Sequence, residues 1–227
     1  MKKILPFLLC FFALQNYAFS QGIGDALKRS SIQIGPTFSN WHNYNDSKIE
    51  MRPERNRGID VALTHRFKFG QKGTFGINTG LAISNVNIHT NFRTWEFDED
   101  GNVLGNHILM DKSKYIKNKL SLTYLEVPVE LSLATKRGDS SAKAGFKFAI
   151  GWRTGFCIDA HTKFKDEDAI SKRKDFDNIN RLRYGPTVRI GYGMFSIYGR
   201  YDLSSTFKAT NVPNYNLYSL GIIFSGY

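Results

Sequence analysis

The residues best equipped for chemistry are two glutamates, Glu126 and Glu130, in the stretch LTYLEVPVELSL at 122–133. Paired carboxylates can serve general acid/base catalysis. Five histidines, His42, His65, His89, His107 and His161, could supply a base, with Ser84, Ser113, Asp111 and Asp159 as possible neighbours. No spacing among them fixes a triad, which is defined by geometry and not by sequence order, and loop histidines are ordinarily solvated. The run Asp98-Glu99-Asp100-Gly101-Asn102 superficially resembles a calcium loop. Its downstream glutamate and ligand spacing are missing, so a turn at a hairpin tip is the simpler reading. There is no glycine-rich phosphate loop and no dinucleotide fingerprint. No catalytic residue, metal site or cofactor is expected.

The elements that hold these residues have a period of two. Leu125, Val127, Val129, Leu131 and Leu133 alternate with Glu126, Pro128 and Glu130, which is a strand's signature. The same alternation marks eight strands, near 31–41, 56–69, 74–91, 118–134, 142–158, 180–192, 194–205 and 215–227. Strands two and three are joined by Gly70-Gln71-Lys72-Gly73, four and five by Lys136-Arg137-Gly138-Asp139, and six and seven by little more than Gly193. The other links, 42–55, 92–114, 161–179 and 206–214, are longer. Strict alternation of short and long links predicts an all-β fold, an eight-stranded antiparallel up-and-down transmembrane β-barrel with short periplasmic turns and long extracellular loops.

The N-terminus agrees with that destination. Lys2 and Lys3, an apolar run from Ile4 to Leu14 and the small-x-small site Ala18-Phe19-Ser20 read as a signal peptide over 1–20. A short periplasmic segment, 21–30, then leads into the barrel, 31–227. Removing 1–20 takes two of the 31 basic residues and none of the 20 acidic ones, leaving 29 − 20 = +9. For an exported chain such a charge points to outer membrane lipid and lipopolysaccharide as partners and away from nucleic acid. Removal also takes Cys10 and leaves Cys157 alone, so no intramolecular disulfide can form.

Volume decides which face of each strand is outward. One face carries Ile59, Val61, Leu63, Leu81, Ile83, Phe146, Ile150, Trp152, Val188, Ile190, Ile197, Leu220, Ile222 and their like, with no charge among them. An eight-stranded interior is only wide enough for side chains to fill it and cannot hold several dozen bulky apolar residues. They face lipid. The other face is the lumen, with Asp60, Glu126, Glu130, Arg153, Arg183, Arg189, Arg200 and Asp202 as a charge network, interleaved with glycines that leave room for arginines. Glu126 and Glu130 are expected to pair with those arginines, because an unpaired buried charge is costly. Pro36, Pro128 and Pro186 suggest bulges, since proline donates no ladder hydrogen bond. Leu120, Leu122 and Tyr124 share the parity of Glu126, so a bulge or the membrane boundary is expected between Tyr124 and Leu125.

TYLEVPVELSL, with KAGFKFAIGWRTG, RLRYGPTVRIGYG, SIYGRYDLS and a final aromatic residue, resembles the PorT-type outer membrane β-barrel family of Bacteroidota. Tyr124 to Pro128 is the most specific piece, and the resemblance covers essentially the whole mature chain. It implies an eight-stranded barrel in the outer membrane of a Gram-negative bacterium and little about activity. The expected function is non-enzymatic, a structural or interaction module of the cell envelope with a side-chain-filled lumen. The alternatives are an accessory subunit of a type IX secretion or other outer membrane machine, in contact with further envelope proteins, and a surface-binding or lipid-hydrolysing barrel that uses its extracellular loops.

Overall fold

The computed structural model describes residues 30–42, 50–69, 74–97, 103–109, 116–137, 140–165, 170–174, 178–208 and 215–225. The expected signal peptide and residues 21–29 lie outside them. Strands follow one another as β1 (Ser30–Trp41), β2 (Arg57–Phe69), β3 (Phe75–His89), β4 (Phe92–Phe97), β5 (Val103–Leu109), β6 (Lys117–Arg137), β7 (Ser140–Lys165), β8 (Ile170–Lys174), β9 (Leu182–Tyr192), β10 (Phe195–Ser205) and β11 (Asn216–Ser225). Eight of them pair antiparallel with their neighbours in the ring β1-β2-β3-β6-β7-β9-β10-β11, and β11 returns to β1. The fold is therefore a closed eight-stranded antiparallel barrel, a form that leaves no open sheet edge. Hairpin β4–β5 stands within the long β3–β6 link, and its tip, 98–102, lies outside the described residues. β8 extends the sheet beside the far end of β7.

The apolar face is outward. Leu63, Leu81, Leu131, Ile150 and Ile197 are all exposed, whereas Asp60, Glu126, Arg153 and Asp202 are buried. On β6 the outward apolar stripe runs from Leu125 to Leu133. At ~3.3 Å per residue and a ~40° tilt it rises about 20 Å, which with its side chains suits an outer membrane's apolar band.

Above that band the pattern inverts. Val86 and Ile88 on β3 and Leu120, Leu122 and Tyr124 on β6 point inward and are buried. With Trp41, Cys157, Ala160, Ile179, Phe207, Tyr215 and Leu217 they form one apolar core. The bulge expected in β6 between Tyr124 and Leu125 is not there: β6 keeps its register through that step, and the irregularity lies one residue away, on the partner strand β7. Thr123 pairs with Asp159 and Tyr124 with Cys157, so Ile158 is the extra residue on β7. It swaps the parity of β7, and Ala160 rather than Asp159 is then buried. β7 continues to Lys165, seven residues past the expected end.

The prolines behave differently from expectation. Pairing sums stay constant through Pro36 (β1–β2), Pro128 (β6–β7) and Pro186 (β7–β9), with no inserted residue at any of them. Each instead interrupts the ladder on one side. The β1–β11 ladder skips from Ile34 to Thr37, the β3–β6 ladder from Val129 to Glu126, and the β9–β10 ladder ends at Thr187. A closed barrel tolerates one missing donor where the opposite ladder is intact.

Candidate functional site

The candidate site is the charged layer of the lumen. On β6 the even positions face inward, and Glu126 and Glu130 stand directly opposite Gly155 and Gly151 of β7. Where a side chain would otherwise stand, each glycine leaves space for the carboxylate arm. From β7, β9 and β10 come the arginines, carried inward by the same period-two geometry.

Glu126 is fully buried and collects three guanidinium groups. Arg200 Nη1 donates to both carboxylate oxygens, at 2.7 and 2.8 Å, Arg153 Nη1 donates at 3.4 Å, and Arg183 Nη1 at 3.5 Å. Each arginine also holds an aspartate: Arg153 meets Asp60 at 2.6 Å, while Arg183 and Arg200 meet Asp202 through their Nε atoms at 2.6 and 2.5 Å. Three cations thus face three anions, and the cluster is neutral. Charges taken out of water are tolerated only when paired and hydrogen-bonded in this way.

Nearer the short turns lies a second, smaller group. Arg189 Nη2 donates to Glu130 at 2.6 Å, Asn78 Nδ2 reaches the same oxygen at 3.4 Å, and Ser132 Oγ donates to Asn78 Oδ1 at 3.1 Å. Lys147 Nζ donates to Ser225 Oγ at 3.2 Å. A small cavity of about 40 Å³ is lined by Gln33, Thr64, Asn78, Lys147 and Arg189 together with Leu133 and Phe148.

Two aromatic rings complete the layer. The Arg153 guanidinium lies 4.9 Å from the centre of the Tyr198 ring, and that of Arg183 lies 4.8 Å from Tyr124, which joins the charged layer to the apolar core above. The sequence reading assigned neither ring to the network. Parity was the available signal, since Tyr124 shares its face with Glu126 and Tyr198 with Arg200.

Such a layer can brace and seal a lumen. Guanidinium groups occupy both carboxylate oxygens of Glu126, and Asp60, Asp202 and Glu130 each have an arginine partner, with Asp60 Oδ1 left without a hydrogen bond. The histidines do not assemble around this layer. His42 lies edge-on to Tyr201, with ring centres 5.7 Å apart, and His65 sits at the short-turn rim against Phe67, with Nδ1 3.3 Å from Ser30 Oγ. His161 Nδ1 is 2.7 Å from Asp159 Oδ2 above the membrane band. Ser84 faces the lumen, beside Arg183 Nη1 at 3.5 Å. Asp111, Ser113 and the side chain of His107 lie outside the described residues. Among the described residues no three His, Cys, Asp or Glu side chains converge as metal ligands would.

The attachment invasion locus protein Ail of Yersinia pestis is similar at 15% identity, with 87% of this chain and 97% of that chain covered and a TM-score of 0.37. Ail in complex with the heparin analogue sucrose octasulfate is similar at the same identity and coverage, with a TM-score of 0.35. No curated protein matches. The profile of one family, the outer membrane protein beta-barrel domain, matches residues 19–206. With a closed ring of eight strands, an apolar exterior and a paired, charged lumen, this chain belongs to the outer membrane protein beta-barrel domain family.

Proposed function

We propose that this outer membrane barrel is a non-enzymatic structural or interaction module of the cell envelope, with a lumen that does not conduct solutes. The observation that carries the reading is the double filling of the lumen. The neutral cluster around Glu126 blocks it within the membrane, and the apolar core from Trp41 to Leu217 blocks it above. An eight-stranded interior has room for side chains and little else. Activity would then lie in surfaces: the loops, the outward wall above the membrane, or contacts with other envelope proteins. Planar-bilayer recordings of the purified protein test this, with no stable conductance expected; large, long-lived channels would overturn it.

A second reading, an accessory subunit of a type IX secretion or related machine, is favoured by the PorT-like segment Tyr124 to Pro128. That segment supplies the ring under Arg183, the anion at the centre of the charged layer and the interrupted β3–β6 ladder. Mild-detergent purification of the tagged protein from its host tests it. Recovery with machine components supports this reading; recovery as a lone monomer, with normal secretion in a deletion strain, rejects it.

A further inference from the structure

Above the membrane band, the outward wall carries a row of basic side chains, three of them lysines, where a sheet ordinarily avoids like charges. His89, Lys119, Lys163 and Lys172 are direct partners in successive ladders, one each from β3, β6, β7 and β8. One step further up, Lys117 is opposite Lys165. Like charges placed directly opposite destabilise a sheet, so this row is unfavourable for folding alone. Lys119 is held below the ordinary lysine value by burial, then by Lys117, Lys163 and Lys172.

No carboxylate of the described residues forms an ion pair with these lysines. Glu54 is 4.0 Å from Arg55, and Asp159 is taken by His161. Among the described residues, Lys119 Nζ is satisfied by the neutral Asn87. Arg55, Arg57, His89, Lys117, Lys163 and Lys165, with Ile116 and Ile170, line an open depression of about 660 Å³, and Glu54 is its one acid among the described residues. Asp166, Glu167 and Asp168, between β7 and β8 in sequence, lie outside the described residues.

Position selects the counterpart. Ile83 on β3 and Leu125 on β6 are the last exposed apolar residues of their strands, and the row lies six residues beyond each. That is ~20 Å along the strands, or about 15 Å above the hydrocarbon edge at a ~40° tilt. Inward positions at this height are the buried Ile88, Leu120 and Ala160, so the cations point sideways, away from the barrel. The lateral neighbours of a barrel wall at that height are the headgroups and proximal sugars of outer-leaflet lipids. Strand spacing sets the ammonium groups of Lys119, Lys163 and Lys172 ~4.8 Å apart over three strands, with the His89 ring next in the row on β3, which suits several phosphate oxygens at once.

We propose that the row His89, Lys119, Lys163 and Lys172, with Lys117 and Lys165 above it, is a binding site for the phosphate groups of the outer leaflet's glycolipid. It rests on the outer membrane placement and not on the sealed lumen, so the conductance experiment and the one below fail independently. The lysine ammonium groups of the row replace the divalent cations that otherwise bridge neighbouring phosphates.

The test uses the full mature chain in phosphatidylcholine nanodiscs containing lipopolysaccharide without O-antigen, either phosphorylated or dephosphorylated, in EDTA. Lipid retained by the barrel is counted by native mass spectrometry. Wild type should retain the phosphorylated form in preference to the dephosphorylated one. The variant K119Q/K163Q/K172Q should lose about a hundredfold in affinity, since each lysine near an anionic surface contributes about fivefold. In phosphatidylcholine alone the variant should unfold at the same or higher urea concentration than wild type, because repulsion is relieved, so loss of binding cannot be ascribed to misfolding. Equal retention of the two lipid forms overturns the proposal. So does a variant that keeps its affinity and is less stable, which would mean that the row is neutralised by the chain's own acids. Displacement of the glycolipid by an equimolar soluble sulfated saccharide also overturns it, in favour of a dissolved polyanion.

Discussion

Gly155 and Glu126 are directly opposed across the β6–β7 ladder, and a Cβ on Gly155 would lie 2.5 Å from Glu126 Cγ and 3.0 Å from the Leu125 carbonyl oxygen. The glycine therefore sets where the carboxylate can stand. Glu126 reaches Arg153, Arg183 and Arg200 together because nothing projects from β7 beneath it.

Gly155→Ala should accordingly push Glu126 off its bidentate contact with Arg200 and cost about 1–3 kcal/mol, the usual range for overpacking. Gly151→Ala should cost more. Its Cβ would meet the Val129 carbonyl oxygen at 2.4 Å, and backbone cannot swing aside as a side chain can. Urea titrations followed by the different gel mobilities of folded and unfolded barrels would rank the two.

Trp41→Ala tests the apolar layer. Trp41 is 2% exposed, donates from Nε1 to Thr206 Oγ1 at 3.1 Å and packs edge-on to Tyr215 at 5.2 Å. Truncation should cost about 3–5 kcal/mol, as for other buried aromatics. Trp152, 42% exposed on the lipid face, should lose much less on the same change, because lipid fills the gap. Hydrogen exchange should show faster opening of the upper strands for Trp41→Ala and not for Trp152→Ala.

The cation row predicts a pH dependence. His89 lies above the membrane band, and its pKa is lowered from 6.5 to about 4 by burial, then by Lys117, Lys119, Arg55 and Arg52. The folded form resists a proton that the unfolded chain accepts, so the neutral histidine's contribution is complete above about pH 6.5 and declines as pH falls toward 4. The urea midpoint should drop over that window, and His89→Gln should flatten the drop. Bound phosphate should raise the His89 pKa, which histidine NMR titration with and without the phosphorylated glycolipid would read.

Parity made much of the barrel legible. From Leu125 to Leu133 every outward position on β6 is aliphatic, whereas the inward ones are Glu126, Pro128, Glu130 and Ser132, so a single strand orients the wall. Hairpin β4–β5 was also readable from its turn residues. The upper end of β7 was not. After Ile158 the parity changes, and His161-Thr162-Lys163-Phe164-Lys165 looks like solvated loop because its outward residues are charged. The prolines misled for a different reason. A bulge is one way to accommodate a missing donor, and this barrel uses another, a gap in one ladder. In the site, sequence parity gives the inward charges and their signs. Which arginine meets Glu126 and which meets Glu130 depends on strand stagger around the ring, a property of closure that no single strand encodes.

The central claim is that the charged face is buried in the lumen and the aliphatic face lies in lipid. Urea unfolding of Glu126→Ala, Glu130→Ala and Val129→Ala in the same lipid tests it most directly. Removing Glu126 leaves three buried guanidinium groups short of one anion, so this variant should lose about 3–5 kcal/mol. Glu130→Ala strands Arg189 and should fall in the same range, whereas Val129→Ala should cost well under half as much. Neutral glutamate variants beside a severely destabilised Val129→Ala would mean that the aliphatic face is the interior, and the membrane-spanning barrel described above would be inside out.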